Sequence, residues 1–335
     1  MRIKWTYIVW LVVLILPVSC KKSTADDEYG FAMMLGTRAG EDNGSDKPCF
    51  IIWEQKDYTH AGFGANPAVP YAVCRPDGVI GAYETAKYNT RHVYPLHNEL
   101  AYAVGVSPGT IVSASQSGWK TLDISPALAG VADIQTAKAI TGSEQAPFDT
   151  PLVFNHLLTR LKFYGYCHSD MHESDSEKID VKKVEVSISS ENQWLRLPKE
   201  LEWEHSSERY KVNEYSAAPS PKVVATVKME EGVVIDSQDG SGDAKFVGNL
   251  YLMPGFEEIA VDIKATYVDY TTDGPAPGGN GREQVLEWKN VTIPGIANSG
   301  APTSAGESYK LHLVFYRSTI KIGVTLNPWG PDIEN

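Results

Sequence analysis

A chain of 335 residues with 42% hydrophobic and 21% charged side chains has the composition of a soluble globular protein and enough apolar material for two cored domains. Its formal net charge is −12, and no basic stripe offsets it along the sequence, which argues against nucleic acid and anionic membrane surfaces as partners. Four cysteines without a CxxC pair exclude a disulfide scaffold, so packing must hold the fold.

The chain opens with Arg2 and Lys4 ahead of an apolar run from Ile8 to Leu16. A membrane span needs ~20 apolar residues, so this shorter run predicts a secretory signal over 1–19. Leu16-Pro17-Val18-Ser19-Cys20 looks like a bacterial lipobox, with Pro17 where that pattern prefers Leu; cleavage before Cys20 would leave its thiol to carry a lipid. If Cys20 is lipidated, Cys49, Cys74 and Cys167 remain, and a Cys49–Cys74 bridge is open. The polar stretch 20–27 predicts a flexible tether. Then Tyr29, Phe31, Met33 and Leu35 alternate with Gly30, Ala32, Met34 and Gly36, the large-against-small pattern of a strand laid on a core. The chain turns polar after Arg38, and Arg38-Ala39 makes a natural site for a trypsin-like protease; a solvated loop arginine is the other reading.

Period-2 alternation recurs from there to the end. The clearest runs are Ile179-Val181 then Val184-Val186-Ile188, Ile259 to Tyr267, Leu311-Leu313-Phe315, and Ile320-Ile322-Val324-Leu326. Gly/Pro/Asp/Ser turns separate them, which predicts an all-β sandwich architecture. Only Pro126 to Ile140 reads as a helix of any length. The polar, Pro-containing break at 142–150 predicts a linker between a first domain over 28–141 and a second over 151–335.

No constellation calls for catalysis: there is no GxSxG, HExxH or P-loop, and no cofactor is expected. His168, Asp170, His172, Glu173, Asp175 and Glu177 form the densest set of metal-type ligands, but they read as a polar hairpin loop, and no metal is expected. Trp119, Trp194, Trp203 and Trp288 would suit sugar stacking if exposed and a core if not.

Taken together, these segments resemble the fimbrillin family of Bacteroidetes surface lipoproteins, which build or tip pili. The likeness is carried by Phe31 to Ala39; by Val93-Tyr94-Pro95 with Leu100-Ala101-Tyr102-Ala103 and Val106-Ser107-Pro108; by Leu152-Val153-Phe154-Asn155-His156-Leu157-Leu158-Thr159-Arg160-Leu161; and by Ala305-Gly306-Glu307-Ser308-Tyr309-Lys310-Leu311 through Ile320 to Trp329. The resemblance implies two transthyretin-like β-sandwiches in tandem and export to the outer membrane as a lipoprotein anchored through Cys20. It also implies cleavage after Arg38 and assembly with other pilus subunits by donor-strand exchange. Ile320, Ile322, Val324 and Leu326 are then the candidate donor strand, or simply the last strand of their own domain. Little sequence follows Trp329, which favours an accessory or tip subunit. The alternative is a permanently lipid-anchored surface protein that binds a glycan or host ligand and never polymerises.

Overall fold

The computed structural model describes residues 48–55, 70, 72–76, 83–85, 94–112, 119–150, 152–173, 178–192, 195–215, 225–230, 232–236, 244–270, 281–293, 296 and 302–328. They form an all-β architecture in four sheets. In chain order the strands are β1 (Cys49–Glu54), β2 (Ala72–Pro76), β3 (Tyr83–Thr85), β4 (Ala101–Ser107), β5 (Thr121–Asp123), β6 (Gln135–Gly142), β7 (Phe154–His156), β8 (Thr159–Cys167) and β9 (Ile179–Ile188). They continue with β10 (Pro198–Glu204), β11 (Arg209–Tyr215), β12 (Thr226–Lys228), β13 (Lys245–Leu252), β14 (Ile259–Asp269), β15 (Arg282–Ile293), β16 (Glu307–Phe315) and β17 (Ile320–Pro328).

The later strands make sheets β12-β9-β14-β15 and β13-β8-β16-β17, whose inner faces share one core. Along β14, Ile259, Val261, Ile263, Ala265 and Tyr267 are buried and their alternates less so, as period 2 demands. The phase break in β9 between Val181 and Val184 is a bulge. Thr266 faces Lys183 but Tyr267 faces Val181, so the ladder skips Lys182. The extra residue keeps Val181 and Val184 on the same core and sends Lys182 outward, where its Nζ lies 2.7 Å from Glu283 Oε1. Strands β8 and β16 pair in parallel, against antiparallel pairing elsewhere. Gly165 of β8 faces inward beside Ile235, and a methyl carbon there would fall 2.5 Å from Ile235 Cδ1.

The earlier strands make the sheet β3-β2-β1-β4-β6-β7. Its central strand β1 is buried on both sides: Cys49, Ile51 and Trp53 enter one core, Phe50 and Ile52 another. The second face is lined by small residues, Ala101, Ala103, Gly105 and Ala137, and rings fill the space they leave. A methyl carbon on Gly105 would lie 2.5 Å from Cζ of Phe154, whose ring also meets Phe50 edge-on at 6.4 Å. Phe148, Leu152 and Phe154 belong to this face, and β7 pairs with β6, so pairing runs past the boundary expected at 142–150.

A second segment crosses in the other direction. The hairpin β10–β11 lies in sequence between β9 and β12, both strands of the later sandwich. Yet β10 pairs with β5, and the sheet β11-β10-β5 contributes Leu201, Trp203 and Tyr210 to the core beneath the first sheet. Backbone bonds fix the crossing: Ile124 N donates to Lys199 O at 2.7 Å and Trp203 N to Lys120 O at 2.8 Å. Tyr210 Oη donates to Trp119 O at 2.6 Å, which satisfies a fully buried hydroxyl.

The helix expected over Pro126 to Ile140 is absent: turns run to Ala132, and strand β6 begins at Gln135. Gly130 sits at φ +80°, a left-handed conformation that ends any regular helix. Beyond it, Ile134 and Thr136 are buried, and Ala139 N donates to Glu208 O across to the hairpin. Tertiary pairing overrides a loose 3.6-residue pattern here. The Cys49–Cys74 bridge does not form: the buried Cys49 keeps its thiol, which lies 4.0 Å from Phe50 O, and Phe50 stands opposite Cys74 in the ladder.

Candidate assembly strands and surface sites

The apolar alternation at the end of the chain folds as β17, which pairs with β16 along its whole length, from Phe315↔Ile320 to Glu307↔Pro328. A short turn joins the two strands, with Tyr316 N donating to Thr319 O at 2.9 Å. Ile320, Ile322 and Val324 are half-buried against the core, while Leu326 is 42% exposed. Their alternates Lys321, Gly323 and Thr325 face solvent. Among the described residues β17 is the terminal strand of its sheet, so a partner strand would find its outer backbone groups on this side. The opposite sandwich edge, β15, is protected differently. It carries Arg282, Glu283, Glu287 and Lys289, mostly exposed, and Asn290 (φ 55°) breaks its ladder, its N–H donating to Asp262 Oδ1 at 2.8 Å. Charges and a bulge discourage pairing there; β17 has one outward charge, Lys321, and a smooth register.

The other sites expected from the sequence lie outside the described residues: Cys20, the strand with Tyr29, Phe31, Met33 and Leu35, and the Arg38-Ala39 bond.

The polar loop after β8 scatters those of its ligands that are described; Asp175 and Glu177 lie outside the described residues. His168 accepts from Asp170 N through Nδ1 at 3.3 Å and stacks on Tyr316, ring centres 4.3 Å apart. His172 Nε2 donates to Ile179 O at 3.0 Å and lies 3.2 Å from Asp180 Oδ1. Among the described residues no three His, Cys, Asp or Glu side chains are placed to hold a metal ion. Cys167 is buried beside them, donating from Sγ to Ile235 O at 3.3 Å. Burial, reinforced by the Asp180 charge, pushes this thiol up to about 12, the state of an inert structural cysteine.

The tryptophans weighed for sugar stacking do structural work where they are described. Trp119 and Trp203 are buried in the core under the first sheet, and Trp288 is half-buried against Tyr267 and Phe315. Another set of rings lies elsewhere: half-buried Tyr164, Tyr166 and His312 gather with exposed Phe246 on the outer face of the sheet β13-β8-β16-β17. No signal in the sequence marks them, because four separate strands contribute to that face.

No protein-family model and no curated protein matches the sequence. Solved structures do. A candidate cell adhesion protein from Bacteroides ovatus superposes with a TM-score of 0.50 at 12% identity, covering 90% of this chain and 96% of that one. Another from Bacteroides uniformis gives a TM-score of 0.48 at 12% identity over 90% and 98% of the two chains. A fimbrial protein from Bacteroides vulgatus gives 0.45 at 12% identity over 90% and 99%. The likeness to the B. ovatus protein runs nearly end to end and shows a shared fold.

Proposed function

We propose that this protein is a surface adhesion or pilus subunit, exported as a lipoprotein through Cys20 and assembled by donor-strand exchange after cleavage between Arg38 and Ala39. The observation that carries the reading is the shared fold with the B. ovatus protein, described as a candidate cell adhesion protein, over 90% of the chain. The energetics favour the mechanism. Removing the segment 29–38 would withdraw Tyr29, Phe31, Met33 and Leu35; at ~1.5–3 kcal/mol each this is about 6–12 kcal/mol. Whole domains are stable by only ~5–15 kcal/mol, so cleavage would leave a domain that gains by accepting a neighbour's strand. One cut would both free the subunit from its lipid and open its acceptor groove. The donor would be β17, whose Ile320, Ile322, Val324 and Leu326 repeat the alternation of the removed strand.

A second reading rests on a specific observation. β17 pairs with β16 at every position and packs half-buried on its own core, which suits a chain that keeps its last strand. That chain would be a permanently lipid-anchored binder of a host or glycan ligand. Limited digestion of the full chain with a trypsin-like protease separates the two. A product starting at Ala39 that forms laddered oligomers supports the pilus subunit. Resistance at Arg38, or a cleaved product that stays monomeric, overturns it in favour of the anchored binder.

A further inference from the structure

The sequence has no basic stripe, but the fold brings Lys310 and Lys321 to one sheet face beside a cluster of rings. Across the sheet β13-β8-β16-β17, Lys162 stands opposite Lys310, Tyr164 lies between Phe246 and His312, and Gly323 adjoins His312. Their strand neighbours Leu161, Phe163, Leu311 and Leu313 fill the core, so this set lies on the outer face, where Lys162 is itself buried, Tyr164, Lys310 and His312 are half-buried, and Gly323 is exposed. Lys310 Nζ sits 4.6 Å from the Tyr164 ring centre, and Lys162 Nζ sits 5.4 Å from the centres of Tyr164 and Phe246. Tyr164 stacks with His312 at 6.3 Å and meets Phe246, itself 44% exposed, at 5.5 Å.

The charge pattern is selective. The four strands contain one carboxylate, Glu307, and its Oε2 already accepts from Ser304 N and Tyr309 Oη. The partner sheet of the same sandwich behaves otherwise. There Lys264 meets Glu287 and Lys228 meets Glu185 across neighbouring strands, and Lys182 of β9 meets Glu283 of β15 over the intervening β14. In a chain of net charge −12, one face thus presents Lys310 over Tyr164 and, 5.0 Å from the Tyr316 ring centre, Lys321, neither beside a carboxylate of its own sheet. Gly323 adds an independent sign. Neither a positive φ nor crowding requires glycine there, since a methyl carbon would meet only His312 Cβ, at 3.9 Å. The missing side chain leaves the flank of His312 open.

We propose that this face binds an acidic polysaccharide. The C–H face of a pyranose ring rests on the Tyr164–Phe246–His312 cluster, and its carboxylate or sulfate groups meet the ammonium groups of Lys310 and Lys321. The lysines surrender no ion pair within the sheet to do so, because rings hold them in place. A sheet face with half-exposed rings and an open glycine receives a flat sugar ring; an acidic peptide would use the charges alone. The site deepens the adhesion part of the proposed function, and it is measured on the uncleaved monomer, so it fails or stands separately from strand exchange.

The test is calorimetric titration of the full chain with a heparin decasaccharide, a dextran oligosaccharide and poly-glutamate of matched length, at physiological ionic strength. The heparin fragment binds, and the other two bind at least about tenfold more weakly, a difference of about 1.4 kcal/mol. Lys310→Glu weakens heparin binding about tenfold or more, whereas Lys289→Glu on the opposite sheet, the same charge change, leaves it unaltered. Tyr164→Ala weakens it about fivefold or more. Gly323→Asp places a carboxylate in open space without strain, abolishes binding and keeps the wild-type melting temperature. Absence of heparin binding overturns the proposal. So does poly-glutamate binding as tightly as heparin, an equal loss from Lys289→Glu, or unimpaired binding by a folded Gly323→Asp protein.

Discussion

The indoles of Trp53 and Trp203 pack with ring centres 6.2 Å apart, so a residue of the earlier sheet's central strand is covered by one that follows β9 of the later sandwich. Trp203 also meets Tyr210 edge-on at 5.4 Å. The first core is therefore incomplete without residues 198–215. A fragment ending at residue 150 should remain unfolded, with no near-ultraviolet circular dichroism from its tryptophans and collapsed amide dispersion. In the full chain Trp203→Ala should cost about 3–5 kcal/mol in urea unfolding, the range for deleting a buried ring.

Gly105 and Phe154 share one volume. A side chain at Gly105 must displace the Phe154 ring, so Gly105→Val should destabilise by about 1–3 kcal/mol through overpacking. Phe154→Ala alone should cost about 3–5 kcal/mol through the cavity it opens. Because each change relieves the defect of the other, the double variant should lose clearly less than the sum of the two. A double-mutant cycle by chemical denaturation checks this; simple additivity would mean that the ring and the glycine do not compete for the same space.

Alkali should be a selective denaturant. Burial raises the Cys167 thiol to about 12 and lifts the Tyr210, Tyr267 and Tyr309 phenols above their usual range; beside Tyr309 the Glu307 carboxylate adds to the effect. In the unfolded chain these groups ionise near their reference values, about 8.5 for Cys and about 10 for Tyr. The folded state thus holds their protons longer. Their contribution is complete below the unfolded pKa and is lost as pH rises through the window above it, from about 8.5 upward for the thiol. Melting temperature should fall progressively above about pH 9, and Cys167→Ala should flatten the first part of that decline. A wild-type profile that is level to pH 11 would contradict this account.

Strand β17 should respond unevenly to truncation. Ile322 and Val324 rest half-buried on the later core, so replacing either by Ala should cost about 1–2 kcal/mol, less than at a fully buried site. Leu326 is largely exposed, and Leu326→Ser should stay within about 0.5 kcal/mol. Urea midpoints of the uncleaved chain measure both. If β17 also serves as the donor, the same Ile322 and Val324 changes should suppress laddering after cleavage.

Much of the fold is legible in the sequence because period 2 is a local property. The runs at 179–188, 259–267, 311–315 and 320–326 are strands, and even the phase break at Lys182-Lys183 has its counterpart in a bulge. What was hidden is non-local. Nothing between Pro198 and Tyr215 says that this hairpin leaves the strands that flank it in sequence and pairs with Thr121–Asp123. The turn at Gly130 and the strand after it were masked by a loose helical spacing. The cationic–aromatic face escaped notice for a different reason. Tyr164, Phe246, Lys310 and Lys321 come to one face only when four strands align, while Trp119 and Trp203 are spent on the core.

The hairpin that crosses between the halves also decides how the molecule carries a mechanical load. Tension applied from one end of the chain to the other does not fall on the covalent passage near residue 150 alone, because the chain also enters and leaves the hairpin from the later sandwich. It is shared with the β5–β10 ladder, which the Ile124–Lys199 and Trp203–Lys120 bonds hold together. The two halves are thus joined by two connections in parallel rather than by one hinge.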